Sequence, residues 1–263
     1  MNSLLALGDS NREPPEAPQQ KRASRQQKPQ QPHEVRAILK AIQRYDLTNS
    51  SDIDLSDTMT RLKTNWSSLA TDEALPEVFA TLSEVIGRRL GIWQIFDPEF
   101  DHATLPAPLQ GCWRAGETTP LNEDQQTIAD TLLSVIQESK VRRPWDISLP
   151  AEFYQAVRRE DTNGILAFQV TTEQLLAGLH LYRGNIVQMN AGEGKTVAGI
   201  FPAVLHALAG TSVHVITAND YLAARDADLL APVYQFLGFT VGAVLGYMED
   251  DERRYNYQQA IVY

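Results

Sequence analysis

The residues of this chain best suited to chemistry lie in one short run, "NAGEGKT", residues 190–196. Gly192 and Gly194 remove side chains where a backbone must wrap closely around a ligand. Lys195 supplies a point charge and Thr196 a hydroxyl. Together they form the pattern of a phosphate-binding loop. Backbone N–H groups cradle the phosphate oxygens, the lysine reaches the β- and γ-phosphates, and the hydroxyl holds Mg²⁺. Glu193, between the glycines, is expected to turn its carboxylate away from the phosphates and to offer its N–H. One position departs from the common G-x-x-x-x-G-K-[ST] spacing: Met189 stands where the first glycine falls.

Such a loop needs a strand before it and a helix after it. "NIVQM" (185–189) is a short apolar run that predicts the strand, and "KTVAGIFPAVLHALAG" predicts the helix. Further on, "SVHVIT", "FTVGAVL" and "AIVY" predict strands, separated by the helical stretches "YLAARDADLLAPVYQFLG" and "DDERRYNYQQA". Strands alternating with helices predict an α/β fold built on a parallel sheet. In this arrangement Thr217 ends a strand, Asp220 is expected to cap the helix from Tyr221, and Arg225 and Asp226 fall on a solvated helix face. The chain ends at Tyr263 within the last predicted strand, so a longer protein is expected, because domain boundaries favour exposed linkers.

Upstream the character differs. Residues 1–33, rich in Gln, Pro and Ser, predict a disordered tail; its Lys21, Arg22, Arg25 and Lys28 form a basic cluster suited to anionic lipid. Residues 34–92 predict helices. "VRAILKAIQRY" places Val35, Ile38, Leu39 and Ile42 on one face. A second helix around "LSDTMTRLKTNW" has Ser56 or Asp57 as its cap. "TDEALPEVFATLSEVIGRRLGI" turns Val78, Phe79, Leu82, Val85, Ile86 and Leu90 inward and ends near Gly91. The stretch 93–167 is turn-rich and then helical, with predicted helices over "EDQQTIADTLLSVIQESK" and "PAEFYQAVRRE". Its His102 and Cys112 stand isolated and read as bystanders. Residues 168–263 hold the α/β pattern.

Composition narrows the function. The 263 residues carry a formal net charge of -10, against general attraction to nucleic acid, with 43% hydrophobic and 21% charged residues. A single cysteine rules out an intrachain disulfide and a cysteine-based zinc site. No apolar run reaches the length of a membrane span.

Motors of the helicase type use the loop variant A-x-x-G-x-G-K-T, whose turn falls at Gly192. They also place a glutamine about twenty residues upstream, here Gln174, to read adenine. "EGKTVAGIFPAVLHALAGTSVHVITANDYLAARDADLLAPVYQFLGFTVG" resembles the first nucleotide-binding domain of the SecA family, bacterial preprotein translocase ATPases, and the resemblance runs over 171–263. "LPEVFATLSEVIGRRLG" (75–91) is similar to the helix before that family's adenine motif. Within the motif "TTEQ" stands for D-V-Q, and Gln169 for an arginine. The resemblance implies a RecA-like, helicase-type P-loop domain, incomplete within these residues, preceded by a mostly helical region. It implies ATP and Mg²⁺ as cofactors, with Gln174, Gly192, Glu193, Gly194, Lys195 and Thr196 binding nucleotide and Thr196 ligating Mg²⁺.

It further implies a motor that couples ATP hydrolysis to moving preproteins through the SecYEG channel. The partners implied are that translocon, preprotein, an acidic phospholipid surface and a second protomer. The implied location is the cytoplasm, peripherally on the inner membrane. The family's acidic D-E-V-D string is absent from these residues, so no catalytic carboxylate is assigned and these residues alone are expected not to hydrolyse ATP. The rival readings are a nucleic-acid-dependent ATPase of helicase type and a degenerate nucleotide-binding module.

Overall fold

A computed structural model describes residues 33–69, 71–96, 101–104, 122–124, 126–128, 130–131, 148–166 and 168–263. The N-terminal basic cluster, Cys112, the side chain of His102 and most of the helix predicted over 123–140 lie outside the described residues.

Three helices come first. Helix α1 (His33–Ile42) buries Val35, Ile38, Leu39 and Ile42, the stripe its spacing demands. Helix α2 (Asp52–Asn65) begins a turn earlier than predicted. Its cap is Ser51, whose hydroxyl accepts from the Asp54 N–H while the Asp54 carboxylate accepts from the Ser51 N–H. Ser56 and Asp57 therefore lie inside the helix, because the reciprocal pair satisfies two donors where either single cap would satisfy one. Helix α3 (Thr71–Leu90) carries Val78, Phe79, Leu82, Val85 and Ile86 into the core, as predicted, and Leu90 is partly buried.

After α3 the chain makes a 3₁₀ turn over Ile92–Phe96, and helix α4 (Ala151–Glu160) packs nearby. Trp93, Phe153, Tyr154 and Leu166 form a second buried apolar group there. A charged network ties this group to α2 and α3. Asp52, fully buried, accepts from Arg88 Nη1 at 3.0 Å, Arg89 Nη2 at 3.0 Å, the Tyr154 hydroxyl at 2.7 Å and the Leu149 N–H at 3.1 Å. The Tyr154 oxygen in turn accepts from the Trp93 indole at 2.8 Å. Arg89 leaves Nε and Nη1 without hydrogen bonds, but its guanidinium lies 4.0 Å from the Trp93 ring centre and 4.2 Å from that of Phe236. Aromatic faces thus take the place of acceptors. Burial holds the Arg89 guanidinium below its usual range and pushes the Tyr154 phenol well up.

The remaining elements are α5 (Thr172–Tyr182), α6 (Lys195–Leu208), β1 (Val213–His214), α7 (Asp220–Phe236), β2 (Val241–Gly242), α8 (Asp250–Tyr257) and β3 (Ile261–Val262). The sheet is parallel with order β1-β3-β2, and Ile261 pairs with both Val213 and Val241. Parallel neighbours need crossovers, and α7 and α8 supply them. One predicted strand is absent: residues 185–189 form no ladder. Ile186 is fully exposed there, and the run is not part of the described sheet.

Candidate nucleotide-binding site

Helix α6 fixes the position of the loop. Ala198, Ile200, Phe201, Val204 and Leu205 are fully buried, so the helix is held by packing along most of its length. The Phe201 ring stacks on Phe79 of α3, with centroids 4.6 Å apart and planes at 16°. Helix α5 lies alongside, close enough that a side chain at Gly178 would meet the Phe201 Cβ at 2.8 Å. This seated helix presents its N-terminal N–H groups and positive dipole end at the loop.

The loop itself turns on two left-handed glycines, Gly192 at φ +82° and Gly194, the N-cap of α6, at φ +79°. A Cβ at Gly192 would project into open space. Lys195 is exposed at the first position of α6, and its ammonium donates to the carbonyls of Met189 at 3.1 Å and Asn190 at 2.7 Å. Thr196 follows on the same turn, half-buried. The Glu193 carboxylate folds back onto Asn190, accepting from its N–H at 2.6 Å and its side-chain amide at 2.7 Å. These bonds hold the Glu193 carboxyl below the usual carboxylate range, the side-chain bond first. The Glu193 N–H reaches the Asn190 carbonyl at 3.4 Å.

Gln174 joins the loop from α5. It closes a capping box with Thr171, in which its Oε1 accepts from the Thr171 N–H at 3.0 Å. Its Nε2 donates to the Glu193 carbonyl at 3.2 Å. The amide oxygen retains a lone pair and the amide nitrogen a second hydrogen for a further partner. The exposed loop thus carries Gly192, Glu193 and Lys195 with Gly194 and Thr196 half-buried, and Gln174 lies buried beneath it. Sequence reasoning missed Asn190, the partner of Glu193, and Thr171, the partner of Gln174. The T-x-x-Q spacing of a capping box was the available signal for Thr171.

The residues around "TANDYLAARD" need one correction. Asn219, not Asp220, caps α7: its side chain accepts from the Leu222 N–H at 2.9 Å. Asp220 is the first helical residue, and its carboxylate accepts from the Gly246 N–H, tying α7 to the loop after β2. Arg225 pairs with Asp226, whose burial at 8% exposure removes it from the solvated face predicted for it. Among the described residues no group of three or more His, Cys, Asp or Glu could hold a metal ion, and no helix is long and apolar enough to cross a membrane.

A parallel sheet with a phosphate-type loop at the start of a helix is the arrangement of the P-loop class of α/β folds. The family model described as the SecA DEAD-like domain matches residues 115–263. The chain is 50% identical over 99 residues to "Protein translocase subunit SecA" of Aliarcobacter butzleri, covering 38% of this chain and 11% of that protein. The protein of the same name from Acidobacterium capsulatum is 42% identical over 127 residues, 48% of this chain and 12% of its own length. That from Pelobacter propionicus is 39% identical over 145 residues, 55% of this chain and 16% of its own. The chain belongs to the SecA family, and its α/β part is the RecA-like, DEAD-like fold of that family's ATP-using domain. It spans well under a fifth of the length of these relatives.

Proposed function

We propose that this chain provides the ATP-binding loop of a SecA-type motor, in which hydrolysis drives preprotein through a SecYEG-type channel. The observation that carries this reading is the exposed Lys195 ammonium on two neutral loop carbonyls, above left-handed glycines at the head of a buried helix. Carbonyls yield a lysine to phosphate more readily than a carboxylate would.

The residues present fit ATP with Mg²⁺. The N–H groups of Gly192, Gly194, Lys195 and Thr196 would face the phosphates, Lys195 would bind their outer oxygens and Thr196 would ligate the cation, while the Glu193 N–H is engaged by the Asn190 carbonyl. Bound Mg²⁺ would neutralise charge on the β- and γ-phosphates. Gln174 braces the loop and offers its remaining amide positions to adenine. Residues 115–263, the span of the family match, form the nucleotide-binding part, so the module expected over 93–167 is an insertion only before residue 115, and 34–92 form a helical segment of the same motor.

These residues include no D-E-V-D string, so by themselves they bind nucleotide without useful hydrolysis. The partners proposed are the translocon, unfolded preprotein, an anionic lipid surface met from the cytoplasmic side, and a second protomer. The test is ATPase activity of the protein containing this chain. Stimulation by channel-bearing vesicles and preprotein supports the reading, whereas stimulation by RNA or DNA alone would replace it with a helicase-type function.

A further inference from the structure

We propose that Asn190 is a positioning residue of the phosphate loop, keeping the Glu193 carboxylate away from both Lys195 and the bound phosphates. The proposal rests on the nucleotide reading above. Between residues 190 and 196 the loop holds one acid, Glu193, and one base, Lys195, two positions apart. An unrestrained carboxylate there has two harmful options. It can pair with the lysine and neutralise the charge meant for phosphate, or it can face the phosphates and repel them.

In the structure the carboxylate is turned onto Asn190 instead. Both carboxylate oxygens are occupied by one residue, Oε2 by the Asn190 N–H and Oε1 by the Asn190 side-chain amide. The Lys195 ammonium rests on the Met189 and Asn190 carbonyls. Asn190 therefore serves both charged groups: its donors hold the acid, and its carbonyl parks the base. Asparagine suits the task because it places a side-chain donor beside its own N–H without adding charge. Aspartate, of nearly the same shape, would meet Glu193 with a second negative charge.

The experiment measures binding of a fluorescent ADP analogue with Mg²⁺ to the purified protein, its N190A, N190D and E193Q variants, and the N190A/E193Q double variant. Asn190 and Glu193 are both exposed, so unchanged thermal midpoints are expected throughout. Asn190→Ala should weaken binding about tenfold, and Asn190→Asp further. In the Glu193→Gln background the same alanine change should cost less than about twofold. Raising the salt concentration should shrink the Asn190→Ala loss, since screened charges repel less. A loss equal in both backgrounds and indifferent to salt would mean that Asn190 merely shapes the loop, and would overturn the proposal. So would wild-type affinity in Asn190→Ala. Failure of the unaltered protein to bind the analogue would instead remove the nucleotide reading, and this inference with it.

Discussion

Gly194 carries two demands at once. Its φ of +79° lies where side chains are rarely tolerated, and a Cβ there would come within 2.1 Å of the Gln174 amide nitrogen. Gly194→Ala should therefore dislodge Gln174 from the Glu193 carbonyl and add about 1–2 kcal/mol of backbone cost. Nucleotide titration and thermal unfolding of that variant should both report a loss, while an alanine variant with unchanged binding would show that Gln174 does not brace the loop. Residue types and spacing made the geometry of this loop legible, because its left-handed turns at Gly192 and Gly194 depend on backbone freedom that sequence displays directly. They could not distinguish Asn219 from Asp220 as the cap of α7. Both are good caps, and the choice was made by Gly246, whose N–H engages the Asp220 carboxylate across the fold.

At the scale of elements, the Asp52 network joins α2, α3 and α4. Its hydrogen-bonded partners lie 36, 37, 97 and 102 residues away in sequence. No periodicity reveals such a network, and two arginines in the last turn of α3 read equally well as favourable charges near a helix C-terminus. Asp52→Ala would leave Arg89 buried without a carboxylate, whereas Arg88 keeps Glu84 at 2.7 Å, so stability should fall by about 3 kcal/mol. Chemical denaturation measures this, and a loss under 1 kcal/mol would contradict the account of Asp52 as the centre of the network. Ser51→Ala, which removes only the cap of α2, should cost about 1 kcal/mol by the same measurement. The amphipathic helices α1 and α3 were legible because their apolar spacing alone fixes the buried face.

Across the whole molecule, α3 links the two apolar groups. Phe79 supports the phosphate-loop helix, while Arg88 and Arg89 hold the group around Tyr154 and Trp93. The parallel α/β pattern was legible from alternating strands and helices. The strand predicted over 185–189 was not realised, because an apolar run forms a ladder only beside a neighbour. The sheet also makes stability depend on pH at the alkaline end. Burial pushes the Tyr263 phenol from 10.0 up to about 12, and the buried Tyr234, hydrogen-bonded to it at 2.9 Å, is raised as well.

A group raised in the folded state contributes fully below its unfolded pKa. That stability is lost as pH rises from about 10 through about 12. Tyr263→Phe should flatten the fall in unfolding free energy across that interval, and an unchanged slope would contradict the assignment.

The central claim is that the loop around Lys195 binds nucleotide as part of a SecA-family domain. Calorimetric titration of the purified protein with Mg-ATP tests it most directly, with Lys195→Ala as the comparison. The account predicts saturable binding of one nucleotide per chain, weakened about 100-fold in the variant, whose fold and thermal midpoint stay unchanged because Lys195 is exposed. Absence of binding by the folded protein, or equal affinity in both, would contradict it.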